Sequence, residues 1–465
     1  MASHQPSDAP RWGGPWVALA AVLAGSAALR IPGLENGLPY ATLLNPDEQS
    51  IVPRAWQMVH GAGPDPHWFD YPTLVLYLFA PFQAWQDRPS ILTARIIVLV
   101  LALGAVAASW WLGRRAYGTV AGVVAAAAVA VETTHVLYSH MAVTDVPLTL
   151  GVAASLALMV SGRLELAGLA VGLAAGAKYP GVFLLAPLVV AGWRKWGRLA
   201  VAGLLAAAAF LATSPYILVH PGQAAHEAFR VQRLAREGWL GFEHDHIALI
   251  AFPARLWSGL GPALLVAAVG LGVALWKRTR TDLILVVFVI VYFIDLLTLR
   301  AHFDRYVLPL VPPLGALAGR PRALAPVTLV LLVVPLTWSV RKDVDLVRTD
   351  TRVVAHDWIE QHLPPGSRIA ADSSTTPLAG FDVVPLALPG PGRPFDPNRS
   401  VARLRREGIR YALVTGAIED RVLAARDHYP REARFYDQLR AREKRLYYVS
   451  AGHGLSGPWV ALYRI

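Results

Sequence analysis

No cysteine occurs in the 465 residues of the sequence. Disulfide bonds, thiolate metal sites and cysteine nucleophiles are therefore excluded. Charge is also scarce, since Asp, Glu, Lys and Arg make up 16% of the residues, against about a quarter in soluble globular domains. The deficit lies in the part of the chain up to about Ser339, where long apolar runs predict a membrane region. The ordinary composition after it predicts a soluble domain.

The net charge of +11 does not indicate a nucleic-acid-binding protein. Residues 341–465 contain 20 Lys and Arg against 15 Asp and Glu, a mild excess that is mixed along the sequence. The remaining basic clusters lie in short loops between apolar runs, as topology signals do. No glycine-rich phosphate loop accompanies the predicted strands. We therefore expect no nucleic-acid partner.

The apolar runs predict about eleven membrane-spanning helices, because roughly 20 apolar residues are needed to cross the hydrocarbon. The predicted spans are 14–31, 92–112, 119–134, 147–161, 166–178, 180–193, 199–218, 257–276, 282–299, 306–319 and 324–340. The two short runs 166–178 and 180–193 are typical of a broken or re-entrant pair that lines a cavity. The expected fold is an all-α polytopic membrane domain over residues 1–340, followed by a small α/β domain over 341–465.

Clusters of basic residues fall at every second boundary between these runs. They are Arg11, Arg114 with Arg115, Arg163, Arg194 to Arg198, Lys277 to Arg280, and Arg320 with Arg322. The positive-inside rule makes this side cytoplasmic. With an odd number of spans, the C-terminal domain is expected on the exoplasmic side. The sequence thus predicts a multi-pass protein of the cell (inner) membrane with a cytoplasmic N-terminus.

Alternating and helical patterns after residue 341 predict the elements of the α/β domain. Helices are expected at 354–362 and 400–407, and strands at 368–372, 411–415 and 459–463. Within the membrane region, the loop 32–91 is expected to contain a short helix at 54–58. It also contains an apolar stretch that begins at Tyr71, ends at Pro81 and is too short to span, which is typical of a helix at the membrane surface.

Asp47 and Glu48 form an acidic pair just outside the first predicted span. One of these carboxylates can point into a cavity and take the proton from an acceptor hydroxyl as a general base. The alternative is a structural role, because Asn45-Pro46-Asp47-Glu48 is also good chemistry for the start of a helix. Both interpretations remain open at this stage.

A second carboxylate, Asp145, stands at the start of the fourth predicted span, followed by Pro147. It can cap that helix, complement Asp47 across a shared cavity, or bind a cation. His140, just before it, is a weaker candidate for the same cavity.

Two basic residues lie next to apolar runs, on the side of the membrane that lacks basic clusters. Lys178 precedes Tyr179 after a Gly/Ala-rich span, and Arg305 precedes Tyr306 at the start of another. An ammonium or guanidinium at membrane depth is a candidate functional group, and the pair can hold a lipid phosphate. The alternative for Lys178 is a side chain that extends to the interface for solvation.

The order and spacing of several motifs resemble the GT-C superfamily of membrane glycosyltransferases, in particular its protein O-mannosyltransferase and aminoarabinose-transferase-like branch. The similarity extends over about 300 residues. The matching motifs are Asp47-Glu48, Tyr71 to Leu74, Arg95 with Gly113-Arg114-Arg115, Tyr138 to Pro147, Gly172 to Gly181, and Arg305 to Pro313. Thr73 stands where this branch more often has a second proline.

The resemblance implies an inverting transfer of a sugar from a polyprenyl- or dolichyl-phosphate carrier to a lipid, glycan or protein acceptor. It implies Asp47 as the general base, with Glu48 beside it. Lys178 and Arg305 would contact the donor phosphate together with Tyr179 and Tyr306. Asp145, His140, Arg54 and Tyr71 would support the cavity. No organic cofactor is required, and a divalent cation at Asp47 and Asp145 is an open alternative.

Two other classes of membrane protein remain as alternatives. A transporter or flippase predicts ionisable groups deep inside spans and repeat symmetry, for which only Asp295 near a span end offers support. A glycan polymerase or ligase predicts catalytic Arg and His residues in a large late loop, and the loop 219–256 contains residues of both types.

Overall fold

The computed structural model describes residues 14–40 and 45–465, and the part up to residue 347 is almost entirely helical. Arg11 lies outside the described residues. The helices of this membrane region are α1 Pro15–Ala28, α2 Asp47–Gln57, α3 Leu74–Gln83, α4 Ile91–Tyr117, α5 Thr119–Val131, α6 Thr133–Tyr138, α7 Asp145–Val160, α8 Leu164–Ala177, α9 Leu185–Ala191, α10 Trp196–Thr213, α11 Tyr216–Val219, α12 Pro221–Glu237, α13 Ala248–Leu260, α14 Ala263–Lys277, α15 Arg280–Leu296, α16 Val311–Ala318, α17 Ala325–Leu331 and α18 Val333–Val347.

Close helix packing in this region depends on small residues. On α8, a Cβ atom at Gly168 or Gly172 would collide with the backbone carbonyl of Ala202 or Ala206 on α10. The two backbones can therefore approach only because these positions are glycine, as is common in membrane helix pairs. The Gly/Ala-rich run before Lys178 thus allows α8 to pack closely against α10.

Three helical segments within the described residues are long and apolar enough to cross a membrane: α4, α10 and residues 322–347. The pair α13 and α14 would add a fourth, but it is bent by 118°. The predicted span 257–276 is therefore not one continuous helix, because Gly261 adopts a positive φ of 57° and Pro262 follows it. Six further apolar helices are shorter than a full span, so the predicted number of eleven is not confirmed by helix length.

The predicted break near residue 178 is present. Lys178 has an extended backbone (φ −158°, ψ 137°) between α8 and the 3-10 segment Tyr179–Leu184, which leads into α9. In the loop 32–91, the short helix expected at 54–58 is the end of α2, which stops at Gln57, and Met58 begins a π-helical segment. The expected surface helix continues through Pro81 to Gln83, two residues beyond its predicted end.

The C-terminal α/β region (residues 349–465) contains a five-stranded sheet in the order β3-β2-β4-β7-β5 and a two-stranded pair, β1 with β6. The strands are β1 Thr349–Asp350, β2 Arg368–Asp372, β3 Asp382–Leu386, β4 Tyr411–Thr415, β5 Lys444–Val449, β6 Leu455–Ser456 and β7 Val460–Arg464. The helices are α19 Thr351–His362, α20 Val401–Arg406, α21 Gly416–Ala424 and α22 Pro430–Arg442. Each of the five predicted elements is present, to within three residues at its ends.

A loop of ten residues, 238–247, connects α12 to α13 and contacts both regions of the protein; we call it the bridging loop. Leu240 is buried in the hydrophobic core of the C-terminal α/β region. The ring of Phe242 packs against that of Phe303, with 4.8 Å between their centroids. The bridging loop therefore joins the sheet region to the segment that carries Arg305.

Candidate functional site

Asp47 is the first residue of α2, and its backbone N–H donates to the side chain of Asn45 at 2.9 Å, which fixes the start of the helix. Its Oδ2 accepts two hydrogen bonds, from the hydroxyl of Tyr71 at 3.0 Å and from Nη1 of Arg305 at 2.7 Å. The Asp47 side chain is 21% exposed. The carboxylate is thus positioned by two partners and still accessible from solvent.

Glu48 points elsewhere and is fully buried. Its two carboxylate oxygens accept from Nε and Nη2 of Arg95 at 2.8 and 2.7 Å, and Oε1 also accepts from the backbone N–H of Ala142. Arg95 in turn donates to two carbonyls of the loop after α1. Neighbouring residues at the start of a helix point in different directions. Glu48 therefore holds α2 against α4, and only Asp47 of the acidic pair faces the accessible site.

Lys178 and Asp145 form a second ion pair, with 2.6 Å between Nζ and Oδ1. Nζ also lies 5.8 Å from the ring centroid of Tyr71 and 5.3 Å from that of Tyr306. Asp145 begins α7, but its side chain does not cap that helix. Lys178, Asp145, Asp47 and Arg305 are therefore joined through two shared tyrosines.

Two polar atoms of this cluster are buried without a hydrogen-bond partner among the described residues: Oδ2 of Asp145 and Nε of Arg305. Buried polar atoms in proteins are nearly always paired. One free acceptor and one free donor in the same cluster are the features expected where a polar substrate binds.

A cavity of about 390 Å³ opens beside Lys178. Tyr71 and Tyr306 line it, and further walls come from the 3-10 segment after Lys178, from α12 and from α15, with mainly apolar side chains such as Phe183 and Phe229. Asp295 at the end of α15 also lines it. The cavity is therefore largely apolar, with Lys178 among the few charged residues in its lining.

The loop that carries Tyr71 is held beneath α12 by polar contacts. His220 lies 2.7 Å from Asp65, the backbone N–H of Phe69 donates to Glu227 at 2.6 Å, and Arg230 donates to Asp70 at 2.5 Å. Burial raises the pKa of the Asp65 carboxyl, but hydrogen bonds from the His67 backbone and the His220 ring outweigh it, and the net shift is downward.

The remaining predicted site residues differ in how close they come to this cluster. Tyr306 packs beside Lys178, and the Tyr179 hydroxyl donates to the carbonyl of Phe69 at 2.8 Å, in the loop just before Tyr71. Arg54 donates to the Ser50 carbonyl and stacks over Trp68, 4.5 Å from its centroid. Buried His140 contacts the carbonyls of Val136 and Pro32 instead.

Sequence analysis did not assign roles to Tyr138 and Asp304. The Tyr138 hydroxyl donates to Oδ1 of Asp304 at 2.9 Å, and the backbone N–H of Arg305 donates to the same oxygen at 2.8 Å. Both residues therefore position Arg305. Tyr138 begins the motif Tyr138 to Pro147, and Asp304 directly precedes the motif Arg305 to Pro313, so proximity to those motifs was the available signal.

Asp47 and Asp145, the residues considered as cation ligands, are each paired with a basic side chain, and within residues 14–40 and 45–465 neither belongs to a group of three potential metal ligands. Among the described residues, two other groups have ligand atoms close enough to share a metal ion: Asp65, His67 and His220, and His244, Asp427 and His428.

Comparison with solved structures shows the same fold in membrane glycosyltransferases. ArnT from Cupriavidus metallidurans, solved with bound undecaprenyl phosphate, matches with a TM-score of 0.54 at 15% identity, over 96% of this chain and 97% of that one. The archaeal oligosaccharyltransferase AglB from Archaeoglobus fulgidus, solved with an inhibitory peptide and a dolichol-phosphate, matches with a TM-score of 0.57 at 12% identity, over 96% and 74% of the two chains.

No curated protein matches the sequence significantly. The model of glycosyltransferase family 87, which is a GT-C family, matches residues 68–301, half of the chain. This match includes Tyr71, Asp145 and Lys178, and it confirms the resemblance at the level of the superfamily. The chain is a membrane protein that belongs to glycosyltransferase family 87.

Proposed function

We propose that this protein transfers a sugar from a polyprenyl-phosphate carrier to an exoplasmic hydroxyl acceptor, with inversion at the anomeric carbon. The observation that carries the proposal is the cluster in which the Asp47 carboxylate meets Arg305, next to Lys178 in the lining of a largely apolar cavity. A base, a phosphate-binding pair and a lipid channel thus meet at one place.

The donor side of the reaction rests on Lys178 and Arg305. A sugar phosphate that leaves the anomeric carbon develops negative charge, and nearby cations stabilise it. Arg305 has a free Nε donor for this purpose, and Lys178 faces the cavity. The apolar walls accept the first isoprene units of the carrier, whose remainder lies in the bilayer. ArnT and AglB, with the same fold, contain undecaprenyl phosphate and dolichol-phosphate in their structures.

The acceptor side rests on Asp47. The acceptor oxygen attacks the anomeric carbon, the bond from that carbon to the phosphate oxygen breaks, and the acceptor proton moves to the Asp47 carboxylate. One displacement inverts the configuration. Glu48 does not take part directly, because Arg95 occupies both of its oxygens. Asp145, with a free Oδ2, holds Lys178 and can accept from a sugar hydroxyl.

The proposed test uses the full-length protein in lipid nanodiscs with a panel of radiolabelled polyprenyl-phosphate hexoses and pentoses, and an envelope extract of a deletion strain supplies the acceptor. We expect one donor to be consumed by the wild type and to remain intact with Asp47→Asn. In parallel, mass spectrometry compares envelope glycolipids and glycans of a deletion strain and its complemented parent to identify the acceptor. Transfer from a nucleotide sugar without any lipid-linked donor would contradict the proposal.

A further inference from the structure

The bridging loop makes polar as well as apolar contacts with the C-terminal α/β region. Oε1 of Glu243 accepts from the Tyr429 hydroxyl at 2.6 Å. The next residue, His244, points to the turn between α21 and α22, where Asp427 and His428 lie. These three side chains come from parts of the chain more than 180 residues apart, and neither the donor nor the acceptor chemistry proposed above uses them.

Their geometry is that of ligands around one ion. Nε2 of His244 lies 3.2 Å from Oδ1 of Asp427, and Nε2 of His428 lies 3.6 Å from Oδ2 of Asp427. The two imidazole rings have centroids 5.6 Å apart, and the ligand atoms of all three residues lie within 4.8 Å of one another. Ligands bound to tetrahedral zinc at 2.0–2.1 Å are separated from each other by about 3.3 Å.

Hydrogen bonds among the three side chains explain these distances less well than a shared metal ion does. In the other histidine-aspartate group, His220 and Asp65 already satisfy each other at 2.7 Å. Here both contacts are longer, and the side chains of His244, Asp427 and His428 are 56%, 64% and 51% exposed. Solvent can therefore reach the centre of the cluster and supply a further ligand.

We propose that His244, Asp427 and His428 form a Zn²⁺ site that fastens the bridging loop to the C-terminal α/β region. Two imidazole nitrogens and one carboxylate oxygen suit zinc, and water completes the tetrahedron. The site lies outside the cluster around Asp47 and does not depend on the identity of the donor.

Such a site would steady the edge of the candidate active site. Asp245, next to His244, pairs with Arg255 at 2.8 Å and lies 3.2 Å from His302. Phe303 packs on Phe242 of the same loop. Zinc at His244 would therefore hold the segment 302–306, which carries Arg305, against the sheet region.

The test is zinc titration of the full-length protein in detergent by isothermal calorimetry, after treatment with EDTA and without a polyhistidine tag. All proteins carry His67→Ala, which removes one ligand from the other histidine-aspartate group. We expect one equivalent of Zn²⁺ to bind in this background. His244→Ala, Asp427→Asn and His428→Ala should each weaken binding by about tenfold or more. His246→Ala, in the same loop but outside the cluster, should have no effect.

Two further measurements separate a metal site from a folding defect. His428→Cys should retain zinc binding, because a thiolate replaces the imidazole as a ligand. Zinc should raise the thermal unfolding temperature of the His67→Ala protein by a few degrees. It should not change the unfolding temperature of the double variant that carries both His67→Ala and His244→Ala. The proposal would be overturned if the His67→Ala protein bound no zinc. It would also be overturned if that protein gave the same titration curve as its derivatives with His244→Ala, Asp427→Asn and His428→Ala.

Discussion

Nη1 of Arg305 lies 2.7 Å from Oδ2 of Asp47, although 258 positions separate the two residues in the sequence. The proposed base and a proposed phosphate ligand are thus in direct contact. Arg305 keeps the carboxylate oriented through one nitrogen and leaves another free. Donor binding can therefore add a phosphate to a guanidinium that is already in place.

Asp47→Asn should abolish transfer or reduce it by about 10²–10⁴-fold, the range typical for loss of a general base. Asparagine keeps the shape of the side chain and can still accept from Tyr71, but it cannot take a proton. Initial rates with a saturating lipid-linked donor provide the measurement, and Asp87→Asn on an exposed turn of the same loop is the control. A near-normal rate with Asp47→Asn would remove the proposed mechanism.

Glu48→Gln should lower the stability of the folded protein. The carboxylate and Arg95 form a fully buried bidentate pair, and breaking such a pair by removing one charge costs about 3–5 kcal/mol. Thermal unfolding in detergent should show a much larger decrease for Glu48→Gln, whose pair is fully buried, than for Asp47→Asn, whose side chain is partly exposed and keeps one oxygen that can accept from Arg305. A Glu48→Gln protein that is as stable as the wild type but inactive would move the base to Glu48.

Lys178→Met combined with Asp145→Asn should impair use of the donor while the protein stays folded. The double substitution removes both charges of a buried pair, so that no unpaired carboxylate remains. Loss of a charge-assisted contact to phosphate costs roughly 1.5–3 kcal/mol, or about one to two decades in donor efficiency. Unchanged kcat/KM for the donor would make Lys178 a structural residue of the interface.

Topology can be tested with single cysteines, because the natural chain has none. From the positions of the basic clusters, Gly222→Cys and Ala451→Cys should react with an impermeant maleimide on intact cells, and Gly197→Cys should be protected. Both glycines have open space where a side chain would begin, and Ala451 is exposed. Outside labelling at 197 with protection at 451 would reverse the proposed orientation.

Glu419 on α21 should make the C-terminal region less stable at alkaline pH. Burial raises the pKa of its carboxyl to about 7 from 4.5, although Arg440 opposes the shift. The folded state therefore binds the proton more tightly than the unfolded state, and stability falls as the pH rises from about 5 to about 8. Glu419→Gln should raise the unfolding temperature at pH 8 by a few degrees and flatten this dependence. Glu407→Gln, at a more exposed position, should do neither.

The sequence indicated which residues lie together in the candidate site better than it indicated which of them form ion pairs with each other. Lys178 and Arg305 were expected on the same side of the membrane as Asp47, because the basic clusters define that side. Their pairing with Asp145 and Asp47 depends on how the helices pack, which hydropathy does not report. Similarly, the sequence did not show which of Asp47 and Glu48 faces the accessible site. The difference appears only in the structure, where Arg95 on α4 pairs with Glu48 and buries it.

The limits on the fold have a similar origin. The short strands and helices with strong alternation were predictable, whereas β3, with its exposed Val383 and a proline at 385, and the charged α22 carry weak patterns. Apolar composition located the run at 257–276, but the bend at Gly261 depends on a backbone conformation that composition does not reveal.

The two ion pairs at the start of α2 would form at very different times during synthesis of the chain. Glu48 can meet Arg95 once 47 further residues have been made, whereas Asp47 must wait for 258. At about 5–20 residues per second, that wait lasts roughly 13 to 50 s. Once Arg95 has been made, the nascent protein can hold α2 in position through Glu48 for the rest of this interval, while the arginine that pairs with Asp47 has not yet been added to the chain.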